Sequence, residues 1–227
     1  MTKFFEKASS LLVYSLPILM VTGPFLSDLS IVLTGFFFLI ILFKRKQFSF
    51  LKNKYSTIFF CFCIYILLRS IFTGEIISIK SSVFFFRFGL FSLAFYYLVI
   101  NKIVSLKTFL KILTLLLVIV FTDSLLQFYY GVNFIGLEKM HPNRVSSFFG
   151  DELVLGSFVS KFFLFYLALF YSSKFFGNKI LIFTIVLVFF LIVFFSASRT
   201  SLASFILSII FFLLLSKNYK IILRLFF

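Results

Sequence analysis

The segment "ILIFTIVLVFFLIVFF", residues 180–195, holds one hydroxyl, Thr184, and no charge. A soluble fold has nowhere to bury a run this apolar, whereas a membrane-crossing helix needs one of roughly 20 residues to span about 30 Å of hydrocarbon. Comparable runs recur along the chain, parted by short charged joints. They are residues 8–25, 26–43, 57–73, 81–100, 109–129, 154–171, 180–195 and 202–215. The whole chain is 62% hydrophobic with 42 Phe among 227 residues, far above a soluble domain of this length. The expected fold is therefore all-α: a polytopic transmembrane helical bundle of about eight spans, forming a single transmembrane domain over residues 1–227. Its partner is the lipid bilayer.

The formal charge of +15 does not point to nucleic acid, because the basic residues are scattered between apolar runs and gather on no solvated face. They follow the membrane instead. Of the 22 Lys and Arg, 15 fall on one set of alternate joints, among them Lys3, Lys44, Arg45, Lys46, Lys107 and Lys217. By the positive-inside rule that set is cytoplasmic, and so is the N-terminus. The acidic residues distribute oppositely, with only Glu6 on the inner side. The longest outer loop, about 131–151, then lies between the fifth and sixth spans.

Several local readings follow. Gly23 and Pro24 in "TGPFLSD" break the first two spans, and Ser27 or Asp28 is placed to cap the second. Cys61 and Cys63, two residues apart in an apolar run, sit on different helix faces and read as small hydrophobes, not as a metal or disulfide pair. The first apolar stretch lacks a small-residue cleavage site and leads straight into another span, so no cleaved signal peptide is expected. The two halves share no inverted repeat of the kind many transporters carry. The terminal "NYKIILRLFF" reads as an incomplete ninth helix, about 219–227, and a truncated product is the expectation, with an interfacial amphipathic piece as the alternative.

Against this background "HPNRVSSFFGDELVLG", residues 141–156, concentrates the only histidine, an arginine and two adjacent carboxylates. Lys outnumbers Arg, 16 to six, yet Arg69, Arg87, Arg144 and Arg199 all fall on the outer side or within the membrane. A guanidinium stays charged where solvent is poor and offers a planar fork of donors for phosphate. Arg87 lies six residues past Ser81, about 9 Å below the outer end of its span, where it either snorkels or lines a polar cavity. Arg199, amid Ser196, Ser198, Thr200 and Ser201, joins the N–H groups at a helix start in an anion-binding arrangement, or else is an ordinary interfacial charge. Asp151 is expected to cap the sixth span, leaving Glu152 to point into the bundle and pair with an arginine. His141, before Pro142, belongs to a loop. As a lone histidine it is no metal site; it reads as a solvated residue or a general base. No phosphate loop, nucleophile elbow or zinc-protease motif is present.

Three pieces, "DSLLQFYYGVNFIG" (123–136), "NRVSSFFGDELVLGSFVSK" (143–161) and "SASRTSLASF" (196–205), in this order and topology resemble the O-antigen ligase and O-antigen polymerase family of bacterial membrane glycosyltransferases. The resemblance implies a metal-independent and cofactor-free enzyme of surface-polysaccharide (lipopolysaccharide) biosynthesis, multi-pass in the bacterial inner membrane. Its donor would be a polyprenyl-diphosphate-linked glycan and its acceptor a glycan or lipid A core. Arg144 and Arg199 match diphosphate-binding positions by motif, Arg87 by position only. Acceptor activation would fall to Glu152 or His141, although the family's histidine belongs to a later outer loop that this chain does not reach. Two other readings stand beside it: a transporter or flippase of an anionic lipid-linked substrate, in which the arginines line a route, and an inactive remnant.

Overall fold

A computed structural model describes residues 2–52, 54–139, 141–171 and 179–215, and among them the chain is helical with no strand, only two isolated bridges. The helices are α1 (Thr2–Thr22), α2 (Pro24–Arg45), α3 (Lys54–Thr73), α4 (Ile76–Phe84), α5 (Phe86–Ile100), α6 (Leu106–Tyr130), α7 (Leu155–Tyr171), α8 (Lys179–Phe195) and α9 (Arg199–Leu215). Five stretches are long and apolar enough to cross a membrane: α1, α2, residues 56–73 of α3, α4 with α5 as one run, and α6. The helices α7, α8 and α9 are shorter and apolar, at 17 residues each. This is a multi-pass membrane protein. The incomplete helix expected at 219–227 lies outside the described residues.

The fourth predicted span starts earlier than its hydropathy suggests, because Ser78, Lys80, Ser81 and Ser82 dilute the apolar signal of α4. Helix α2 also starts earlier than expected. Gly23 takes φ 145°, a backbone region open to glycine, and Pro24 fills the first helical turn, where a missing N–H costs nothing. Neither Ser27 nor Asp28 therefore caps α2. The Ser27 hydroxyl donates back to the Pro24 carbonyl at 2.9 Å, and Asp28 sits a full turn inside the helix.

The helices cluster into two compact units, residues 1–109 and 110–227. In the first, α1 and α2 form a hairpin, and α5 packs on α2 and α3. One polar clamp ties three of these helices together. Arg45 of α2 pairs with Glu6 of α1 at 2.5 Å and donates to the Tyr97 hydroxyl of α5 at 2.8 Å. Tyr97 is fully buried, against Phe38 and Phe50. Cys61 and Cys63 are free, the first exposed and the second buried, as helical spacing requires.

In the second unit α7 packs on α8 and α9, with Phe163 wedged 5.0 Å from Phe189 and 4.4 Å from Phe205. Gly156, in the first turn of α7, lets the α8–α9 turn approach closely: a Cβ there would lie 2.2 Å from Ser196 Oγ and 2.9 Å from Ser201 Oγ. The sequence "SASRTS" is thus rich in small residues because it is packed against α7.

Candidate functional site

The C-terminal end of α6 carries Asp123 and Gln127, one helical turn apart on the same face and both fully buried. A buried carboxylate and amide at this depth must find partners. They find them in the segment that follows. Asp123 accepts the Phe134 N–H at 2.8 Å and the Ser147 hydroxyl at 2.5 Å. Gln127 Oε1 accepts the N–H groups of Ser146 and Ser147 at 3.0 and 2.7 Å, while its Nε2 donates to the Leu137 carbonyl at 3.2 Å. Asn133 completes the knot, donating to the Ser147 carbonyl at 3.1 Å and accepting from the N–H groups of Ile135 and Leu137. Ser147, fully buried, adopts φ 54°, a left-handed conformation unusual for a side-chain-bearing residue and held here by three of these bonds.

The knot fixes residues 131–139 and 141–149, and the Val145 N–H donates to the Phe195 carbonyl at the end of α8 at 3.1 Å. Phe128 stacks on Phe195 at 4.6 Å. Together these contacts set the loop against the α8–α9 turn.

Between them lies a recess of about 560 Å³. Its apolar wall includes Phe128, Phe194 and Leu202; its polar residues are Lys139, Asn143, Ser198 and Arg199. Lys139 donates to the Phe128 carbonyl at 2.6 Å and lies over that ring. Arg199 opens α9, and the Ser198 hydroxyl faces the Ser201 N–H at 3.4 Å. A second recess, about 320 Å³, is lined by His141, Pro142, Asn143 and Arg144. Pro142 and Asn143 belong to both, so Arg144 and Arg199 line adjoining hollows of one unit. Both arginines are exposed, and among the described residues neither pairs with a carboxylate.

The remaining predicted residues sit differently. His141 is exposed beside Arg144, whose N–H donates to the His141 carbonyl at 3.2 Å. Glu152 is also exposed and pairs with no arginine among the described residues, contrary to expectation. The reason is local: α7 begins at Leu155, so Glu152 lies in the preceding turn and not on a bundle-facing helical position. Asp151 does not cap α7 either, since the first-turn bond runs from the Phe158 N–H to the Val154 carbonyl and Asp151 falls too far upstream. Arg87 belongs to the first unit. It neither snorkels alone nor stands free: its Nη2 pairs with Asp28 at 2.9 Å, placing it level with a position one turn inside α2, and its guanidinium lies over Phe88.

Sequence reasoning overlooked Asp123, Gln127, Asn133 and Lys139. The signal for the first pair was the four-residue spacing of polar groups within an apolar helix. Among the described residues no cluster of three or more His, Cys, Asp or Glu could hold a metal. No family model, curated protein or solved structure matches the chain.

Proposed function

We propose that the chain is a metal-independent membrane glycosyltransferase of the O-antigen ligase or polymerase kind, acting on a polyprenyl-diphosphate-linked glycan at the periplasmic face of a bacterial inner membrane. In this reading the N-terminus is cytoplasmic, about eight spans cross the bilayer with α4 and α5 as one, and the loop at about 131–151 faces outward, as the cation bias of the joints indicates. The observation that carries it is the adjoining placement of Arg144 and Arg199, which pair with no carboxylate among the described residues, with Lys139 beside the apolar wall of the Arg199 recess.

A lipid diphosphate leaving from a sugar gathers negative charge on its oxygens as the glycosidic bond breaks. Fixed guanidinium groups lower the energy of that charged state without a metal, and they do so best where water is scarce. Arg199 and Lys139 would hold the diphosphate while the apolar wall takes the first part of the prenyl chain. Arg144 would contact the phosphate nearer the sugar. Attack by an acceptor hydroxyl requires a base, and His141, lining the same hollow as Arg144, is the nearest candidate. Glu152, in the turn before α7, is the carboxylate alternative.

The test replaces Arg144 and Arg199 by Lys at the native locus, then examines surface polysaccharide at matched protein levels. Loss of chain attachment or of chain length supports the phosphate role, since an ammonium keeps the charge but loses the bidentate fork. Unaltered polysaccharide removes it. Retained binding of the lipid-linked donor with no transfer in any variant or in the wild type would move the protein to the transporter class.

A further inference from the structure

The turn after α6 points its side chains outward while turning its backbone inward. Phe134 and Ile135, at its tip, are 61% and 69% exposed, and Tyr129 and Tyr130 at the end of α6 are 75% and 78% exposed. No regular helix covers this segment, so its backbone would ordinarily require water. Yet from Asn133 to Leu137 every backbone N–H donates within the protein. Asn133 donates to the Leu137 carbonyl, Phe134 to Asp123, Ile135 and Leu137 to the Asn133 side chain, and Gly136 to the Asn133 carbonyl. A turn with satisfied donors and apolar side chains can leave water at little polar cost, which is the condition lipid imposes on backbone.

We propose that this turn is a membrane-anchoring wedge: Phe134 and Ile135 seat in the headgroup and acyl boundary of the leaflet at the C-terminal end of α6. The occupant of this apolar surface is lipid because the surface continues that of α6, one of the helices long and apolar enough to cross the bilayer. The two tyrosines lie between them, at the level where amphipathic rings concentrate in membrane proteins. The depth is interfacial and not central, since carbonyl groups at the tip still need the hydration that this layer keeps. Glu138, exposed on the far side of the turn, remains in water. The wedge belongs to the same rigid segment as Lys139, so it would hold the cationic recess at headgroup height, where a lipid phosphate travels. The inference rests on α6 crossing the membrane and not on the proposed transfer reaction.

The chain has no tryptophan, so single indoles can be placed without background. Phe134→Trp and Ile135→Trp variants, reconstituted in phosphatidylcholine vesicles, are compared with Glu138→Trp for quenching by lipids brominated along the acyl chain and by aqueous acrylamide. The wedge predicts at least about threefold stronger bromolipid quenching at 134 and 135 than at 138, strongest with bromines near the glycerol end, and the reverse order with acrylamide. Equal acrylamide access at all three positions with no bromolipid effect overturns the proposal. So does shielding from both quenchers that grows with protein density in the vesicle, which would mean that a second copy covers the turn. None of these readouts needs catalytic activity, so a failed transfer assay and a failed wedge are told apart.

Discussion

Two pairs of arginines, one pair in each unit, are treated in opposite ways. In the first, Arg45 and Arg87 each meet a carboxylate, Glu6 and Asp28, and the ion pairs join α1 to α2 and α2 to α5. In the second, the one buried carboxylate, Asp123, serves a backbone N–H and a serine hydroxyl, and Arg144 and Arg199 pair with no carboxylate among the described residues. Paired arginines hold helices together. Unpaired ones, Arg144 on a loop made rigid by a buried polar knot and Arg199 at the start of α9, are available to an anion from outside the chain. Arg69 of the first unit is exposed on α3 and pairs with no carboxylate among the described residues, so the contrast lies between these two pairs of arginines and not between all of them.

The comparison can be broken most forcefully at Asp123. An Asp123→Ala substitution leaves the Phe134 N–H and Ser147 hydroxyl without acceptors in a buried site, and the expected loss is about 3 kcal/mol. Thermal unfolding in detergent should show it, and the amide protons of Val145, Ser146 and Ser147 should exchange faster. If Asp123→Ala unfolds like the wild type, the knot is not what orders the loop.

Gly156→Ala probes the seat of the α8–α9 turn. The added methyl meets Ser196 Oγ, and displacing a packed turn costs about 2 kcal/mol. Pairing it with Ser196→Gly should recover much of that loss, because the nearest obstruction is removed and only the rotatable Ser201 hydroxyl, at 2.9 Å, has to give way. A smaller effect is expected in the first unit. The Arg87–Asp28 pair is only partly enclosed by the protein, and a double-mutant cycle through Arg87→Ala and Asp28→Ala should give a coupling of about 1 kcal/mol. Smallest of all, Arg144→Ala and Arg199→Ala should shift stability by less than about 0.5 kcal/mol, as both side chains are exposed and neither pairs with a carboxylate among the described residues. A large loss at either position would place these arginines with the structural ones of the first unit and dissolve the contrast.

Much of the scaffold was legible in sequence because apolar runs parted by charged joints are a one-dimensional signal. Each of the eight expected spans corresponds to a helix, the fourth to α4 and α5 together, with ends shifted by a few residues. The largest shift is at α1, which begins at Thr2 and not at residue 8, and the next is where serines and Lys80 mask the start of α4. The partners of polar groups were less legible. Nothing near Arg87 in sequence announces Asp28, 59 positions away, and pairing across helices has no period. The expected cap at Asp28 failed because Pro24 had already begun the helix, and that same early start freed the carboxylate to meet Arg87. Arg144 and Arg199 stood out by residue type. Lys139 did not, because it reads as one more loop cation until the fold brings it beside the α8–α9 turn. The Asn133 and Asp123 bonds to backbone leave no pattern at all, since a side chain capturing an N–H in a turn depends on geometry and not on spacing.

The central claim is that the unpaired guanidinium groups of the second unit bind a lipid-borne diphosphate. Native mass spectrometry of the purified protein with a short-chain polyprenyl diphosphate tests it most directly, comparing wild type with the Arg144→Lys, Arg199→Lys double variant. The account predicts binding at least about tenfold weaker in the variant, with unfolding unchanged. Equal affinity in the two proteins would contradict it.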